Sequence, residues 1–139
     1  MLALLLALLA AAPAERWSVY GGETLAAGQD AVLVTHLGST IDLEIGPAVA
    51  EALGRFAIAS AEQIGGLIAT GGDIARAVLG SLGAGGLHLL GEVEPGVPIG
   101  LADARRPLPV VTKAGAFGTP ETLQRSRAAL KRLIRAGAT

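Results

Sequence analysis

The sequence predicts an α/β fold, a single domain with a mostly parallel sheet flanked by helices. Three observations predict it. Short, β-branched apolar runs alternate with longer stretches in which apolar residues recur every three or four positions, the pattern of buried strands and the helices that cover them. Two glycine-rich turns, Thr70-Gly71-Gly72-Asp73 and Lys113-Ala114-Gly115-Ala116-Phe117-Gly118, each stand where a strand-like run ends and a helix-like run follows. A length of 139 residues suits one domain, large enough to bury a core without disulfides or a structural metal.

The elements follow in order. Residues 1–12 are a nearly uniform run of Leu and Ala within an apolar N-terminal segment, 1–27, whose status the sequence leaves open. The run is shorter than the roughly 20 residues needed to span a bilayer, and no Lys or Arg precedes it. A buried helix, or a start codon assigned inside a longer frame, is therefore favoured over a secretory signal. Residues 31–35 read as the first buried strand. Ile45, Val49, Leu53 and Phe56 recur at helical spacing and predict a helix to about residue 63, with Asp42 and Glu44 suiting the dipole at its start. Residues 67–69 give a second strand, and Ile74, Val78 and Leu82 a helix ended by Gly83.

Residues 87–90 and 97–101 read as strands and antiparallel neighbours, with Pro95-Gly96 suited to a type II turn between them. Residues 108–112 give another buried strand. After the second glycine turn, Thr119, Pro120 and Glu121 fit the N-cap, N1 and N2 positions of a closing helix. Leu123, Leu130, Leu133 and Ile134 form its core stripe, while Arg125, Arg127, Lys131, Arg132 and Arg135 form a solvated basic face.

Composition narrows the function. A formal charge of -1 and the lack of a basic, aromatic-studded stripe argue against a nucleic-acid surface. Without cysteine there is no disulfide, thiolate nucleophile or cysteine-ligated zinc. A cytoplasmic enzyme domain with no membrane partner fits both observations.

The two glycine turns direct the search for a site. Ligands of open α/β sheets sit beyond the carboxyl ends of the strands, where both turns fall. Backbone amides at a glycine turn and a helix start point outward, and the helix dipole favours an anion there. For Gly71 and Gly72 the alternative is a tight connection that needs positive φ. Asp73 reads as a helix N-cap in preference to a carboxylate linked to phosphates through Mg²⁺. Lys113, at a strand end, suits a phosphate held by neighbouring amides, or a lysine snorkelling to solvent. The turns match neither Walker A nor Gly-x-Gly-x-x-Gly. Glu92 and Glu94 share a spacing with paired metal-binding or acid/base carboxylates, but a solvated strand edge is the favoured reading. His36 and His88 have no clustered partners and receive no role.

Taken in order, residues 66–73 (Gly-Leu-Ile-Ala-Thr-Gly-Gly-Asp), 91–98 (Gly-Glu-Val-Glu-Pro-Gly-Val-Pro) and 112–118 (Thr-Lys-Ala-Gly-Ala-Phe-Gly) resemble one family. It is the C-terminal nucleotide-binding domain of the four-carbon acid sugar kinases. The resemblance runs from about Gly28 to Leu130, which sets a domain of 28–136. It implies ATP, with Mg²⁺, as cofactor and phosphorylation of a hydroxyl on a threonate, erythronate or 3-oxo-tetronate type of acid. It maps nucleotide contacts onto Gly71, Gly72, Asp73, Ile74, Lys113 and Gly115, and assigns no catalytic residue.

Three departures stand out. Ile74 replaces the family's usual Thr. The family's Gly-Ser-x-Ser turn is absent, Gly38-Ser39-Thr40 being too short and misplaced. The Asp-Asp-x-Thr-Gly motif of the sugar-acid domain is absent too. The resemblance thus implies the ATP-binding part of a kinase, inactive without an N-terminal sugar-acid domain or subunit, and prone to self-association through a face that partner would cover. The rival reading is a non-catalytic assembly or regulatory module that kept the fold; a small exported domain ranks last.

Overall fold

The computed structural model describes residues 3–7, 25, 27–28, 30–35, 46–115 and 117–137. These form six strands and three helices: β1 (Ala3–Ala7), β2 (Ala31–Thr35), α1 (Gly46–Ala59), β3 (Leu67–Thr70), α2 (Gly72–Ser81), β4 (Leu87–Glu94), β5 (Val97–Asp103), β6 (Pro107–Lys113) and α3 (Thr122–Arg135). The strands make one sheet in the order β2-β1-β3-β6-β5-β4.

The sheet is mixed, parallel as expected across β2-β1-β3-β6 and antiparallel across β6-β5-β4. The cause is local: β4 and β5 are joined by Pro95-Gly96 alone, and so short a connection can only reverse the chain, whereas a parallel pair needs a crossover. The two strands are the antiparallel neighbours expected from sequence, extended to Glu94 and Asp103.

Residues 3–7 form a strand between β2 and β3, which corrects the reading of the leading apolar run as a helix. Leu and Ala favour helices, yet a run apolar at every position also suits a strand covered on both sides, and pairing on both edges decides between them. His36 and Gly38-Ser39-Thr40 lie outside the described residues.

Alternation along the central strands builds two cores. Leu67 and Ala69 of β3, with Leu108 and Val110 of β6, face α1 and α2 and pack with Val49, Leu53, Ala57, Ile74 and Val78. Ile68 and Val111 point to the other face and pack with Val97 of β5 and Leu130 of α3. Helices therefore flank both faces, as expected. The closing helix starts at Thr122 rather than Pro120. Its N-cap is Glu121, which corrects the placing of Thr119, Pro120 and Glu121 at N-cap, N1 and N2: the Thr119 hydroxyl donates to Glu121 Oε2 at 2.8 Å instead of accepting from a helix amide, while Thr119 N donates to Thr122 Oγ1 at 2.7 Å. On α3, Arg127 and Lys131 bond Asp30 at the entry to β2, so part of the basic face is engaged. Edge strand β4 leaves Leu89 60% and Leu90 50% exposed.

Leu130 is fully buried against three elements, so Leu130→Ala should lower the free energy of unfolding by about 2–5 kcal/mol in urea titration. A cost below about 1 kcal/mol would contradict this packing.

Candidate functional site

The parallel pairing of β3 with β6 sets Thr70 opposite Lys113, so the two glycine turns leave the sheet side by side. Gly71 N donates to Lys113 O at 2.8 Å and ties one turn to the other. Because β5 runs antiparallel to β6, its amino end and the hairpin tip at Pro95-Gly96 reach the same edge. A cleft of about 280 Å³ opens there, lined by Gly71 and Gly72 from the first turn, Thr112, Lys113 and Ala114 from the second, and Gly96 and Pro98 from the hairpin. Of the residues singled out in the sequence, Gly71, Gly72 and Lys113 line it. Asp73 and Ile74 continue the helix from Gly72, and Gly115 follows Ala114. Gly96, Pro98 and Thr112 were not among them; the signal was the Pro95-Gly96 turn, whose proximity depends on the antiparallel β5.

Helix α2 has Gly71 as its N-cap, with φ 95° and no side-chain cap. That corrects the reading of Asp73 as the cap: Asp73 is an exposed residue of the first turn, where its charge suits the dipole. The first helical bond is Ala75 N to Gly71 O, so the amides of Gly72, Asp73 and Ile74 have no helical carbonyl four residues back. Ile74 turns its side chain into the core, leaving its backbone as the part available at the helix start. Thr70 Oγ1, one residue before Gly71, is buried and has no hydrogen-bond partner among the described residues.

The glycines divide into two kinds. A Cβ on Gly96 would lie 2.5 Å from Phe117 Cδ1, and one on Gly118 would lie 2.6 Å from Thr122 Oγ1, with both residues at positive φ. The fold requires these two. Gly72 and Gly115 have ordinary φ and nothing within 4 Å of a built Cβ, so their glycines are not explained by packing or strain. The tight-connection reading therefore holds for Gly71 and not for Gly72.

Lys113 folds over its own loop, its Nζ donating to Ala114 O at 3.1 Å and Gly115 O at 3.3 Å. The expected solvated edge holds at Glu92 and needs correction at Glu94. Glu92 is exposed and accepts from Gly96 N at 3.1 Å, bracing the hairpin tip. Glu94, with its side chain 15% exposed, accepts from Thr122 Oγ1 and Arg125, each at 2.6 Å. The Thr122 hydroxyl first, then the Arg125 guanidinium, hold its carboxyl below the ordinary value of 4.5. Lys113 adds in the same direction.

A second cleft of about 220 Å³, lined by Ile64, Leu82, Arg105, Arg106 and neighbours, contains neither glycine turn. Arg106 is engaged there, donating to Ile64 O at 2.6 Å. Among the described residues no group of three or more His, Asp or Glu is placed to hold a metal ion, and no helix is long and apolar enough to cross a membrane. His88 is exposed on β4.

A family model described as "Nucleotide-binding C-terminal domain" matches residues 19–123. The chain belongs to that family. This nucleotide-binding domain is the one found in four-carbon acid sugar kinases, as the motifs implied, and the match begins ahead of Gly28, within the segment where the sequence alone offered no resemblance. The chain is 41% identical over 102 residues to D-threonate kinase of Cupriavidus necator, covering 71% of this chain and 25% of that protein. It is 45% identical over 84 residues to D-threonate kinase of Salmonella typhimurium, covering 58% of this chain and 20% of that protein. The chain thus matches about a quarter or less of the length of these curated relatives. A domain of unknown function from Bordetella bronchiseptica, a domain-swapped dimer with bound citrate, superposes with a TM-score of 0.67 at 27% identity, over 94% of this chain and 41% of that one. A Haemophilus influenzae protein at 17% identity and TM-score 0.58, over 93% of this chain and 35% of that one, shares the fold.

Two outcomes follow for this nucleotide-binding domain. Gly118→Ala should cost more than about 1 kcal/mol in thermal or urea unfolding because strain and contact act together, while Gly72→Ala leaves stability unchanged or raised. Equal effects would contradict the division of the glycines. Because the folded Glu94 carboxyl titrates below its ordinary 4.5, its contribution to stability is full above that value and lost as pH falls through the lowered one. Stability of the natural chain should therefore fall more steeply than that of Glu94→Gln as pH drops below the ordinary carboxylate value of 4.5, and parallel profiles would contradict the tie.

Proposed function

We propose that the chain supplies the ATP-binding part of a kinase that phosphorylates a hydroxyl of a four-carbon sugar acid of threonate, erythronate or 3-oxo-tetronate type. The supporting observation is the meeting of two glycine turns at one sheet edge, where Gly72 and Gly115 are glycines that the fold itself does not require. A bare backbone lets a phosphate approach the amides closely.

In this reading the amides of Gly72, Asp73 and Ile74 bind phosphate oxygens at the positive end of α2. Lys113 exchanges its two long bonds to loop carbonyls for a charge-assisted bond to phosphate. The backbone around Gly115 closes the other side. Asp73 stands one residue from the cleft-lining Gly72, and a single carboxylate suits Mg²⁺ carried by the nucleotide, since that ion commonly takes one or two carboxylates plus phosphates. There the ion would neutralise phosphate charge.

Phosphoryl transfer depends on holding donor and acceptor in line with charge stabilised between them. The acceptor would come from an N-terminal sugar-acid domain or subunit, so the chain alone is inactive. Exposed Leu89 and Leu90 on the edge strand support contact with that partner, or self-association. The substitution of Ile74 for the family's Thr favours the second reading, a module that kept the fold without catalysis.

Calorimetric titration with ATP, with and without Mg²⁺, tests the proposal. Saturable binding is expected, weakened about tenfold or more in Gly72→Val, the size of one or two lost hydrogen bonds to a charged ligand. A folded chain that does not bind would refute the nucleotide reading, and phosphorylation of threonate by the chain alone would refute its inactivity.

A further inference from the structure

The loop between β6 and α3 is gripped at two points. At its centre Phe117 rests on Gly96 of the hairpin tip, closely enough that a Cβ on Gly96 would lie 2.5 Å from the ring. At its end Gly118 passes between Thr122 Oγ1 and Lys113 Cε, which would lie 2.6 Å and 3.0 Å from a built Cβ. Both grips converge on the contact between Glu94, last residue of β4, and the first turn of α3.

The Thr122 hydroxyl is fully committed. It donates to Glu94 Oε1 at 2.6 Å and accepts from Thr119 N at 2.7 Å, and the whole residue is buried. Glu94 Oε2 accepts from Arg125 at 2.6 Å. The carboxylate thus joins residues 28 and 31 positions away in sequence and closes a ring of hairpin tip, loop and helix start. Glu94 does not line the cleft, whereas Gly96, Lys113 and Ala114, which this ring holds, do.

We propose that Glu94 is a positioning residue for the nucleotide: by fixing Thr122 and Arg125 it sets where the 113–118 loop stands against the glycine turn of α2, and with it the affinity for phosphate. The inference rests on the nucleotide reading above. It assigns the carboxylate no contact with the ligand and no proton to move. Lys113, Arg125 and Glu121 are the charged groups that face it, from the end of β6 and the start of α3. The Thr122 hydroxyl, then the Arg125 guanidinium and Lys113, favour the ionised form of this carboxyl.

The test is ATP titration of the natural chain, Glu94→Gln, Thr122→Val and Thr122→Ser, with amide hydrogen exchange read across residues 113–118. Glu94→Gln and Thr122→Val should each weaken ATP about tenfold and speed exchange in the loop, one charge-assisted bond being lost in each. Thr122→Ser, which keeps the hydroxyl, should restore both readouts to the natural values. Arg125→Ala, which spares the Thr122 bond, serves as the milder variant if Glu94→Gln does not fold, and should show the same effects at smaller size. If the natural chain binds ATP and these variants bind it equally well, Glu94 is only a clamp for α3 and the inference is overturned while the nucleotide reading stands. If the natural chain itself does not bind, the nucleotide reading falls and this inference with it.

Discussion

The parallel pairing of β3 with β6, Thr70 opposite Lys113, is the contact on which the candidate site depends. It brings to one edge two turns whose first residues, Thr70 and Lys113, are 43 positions apart in sequence, and the bond from Gly71 N to Lys113 O locks them there. The pairing is secured from both sides of the sheet. Leu67 and Val110 are buried beneath α1 and α2, and Ile68 and Val111 beneath α3, so a one-residue slip would turn both apolar sets to the wrong face. Register in the core therefore dictates the spacing of amides at the edge.

Two different demands for glycine meet at that edge. Gly96 and Gly118 make room for Phe117 and Thr122, and belong to the architecture that holds the loop. Gly72 and Gly115 face open space, and belong to whatever approaches the backbone. The same division runs through the charges. Glu94 and Arg125 are bound to protein partners, while Asp73 stands exposed in the first turn of α2 and Lys113 has only long bonds to its own loop. Groups that build the edge are satisfied by the fold, and groups in or beside the cleft are left available.

Much of this was legible in the sequence, because periodicity reports which faces are buried. The strand at 31–35, both helices on the α1 and α2 side, the hairpin at Pro95-Gly96 and the two glycine turns follow from local pattern, and the order of three motifs pointed to the family. What was not legible is long-range. A Leu and Ala run is ambiguous until its pairing partners on both edges are known, which is why Ala3–Ala7 read as a helix. Asp73 has the chemistry of an N-cap, but Gly71 starts the helix two residues earlier through its bond to a neighbouring strand. Glu94 resembles an exposed edge carboxylate until α3 folds back onto β4, and no spacing rule connects it with Thr122 or Arg125. Gly96 joins the site only because β5 runs against β6.

The central claim is that the edge formed by the two glycine turns is where nucleotide binds. The most direct measurement is a nuclear magnetic resonance titration of the isotopically labelled chain with ATP, following each backbone amide. Saturable shifts are expected at Gly71, Gly72, Gly96, Lys113 and Ala114, with the amides around Arg105 and Arg106 at the second cleft unmoved. Shifts confined to the Arg105 and Arg106 cleft, or no saturable shift in a folded chain, would contradict that claim.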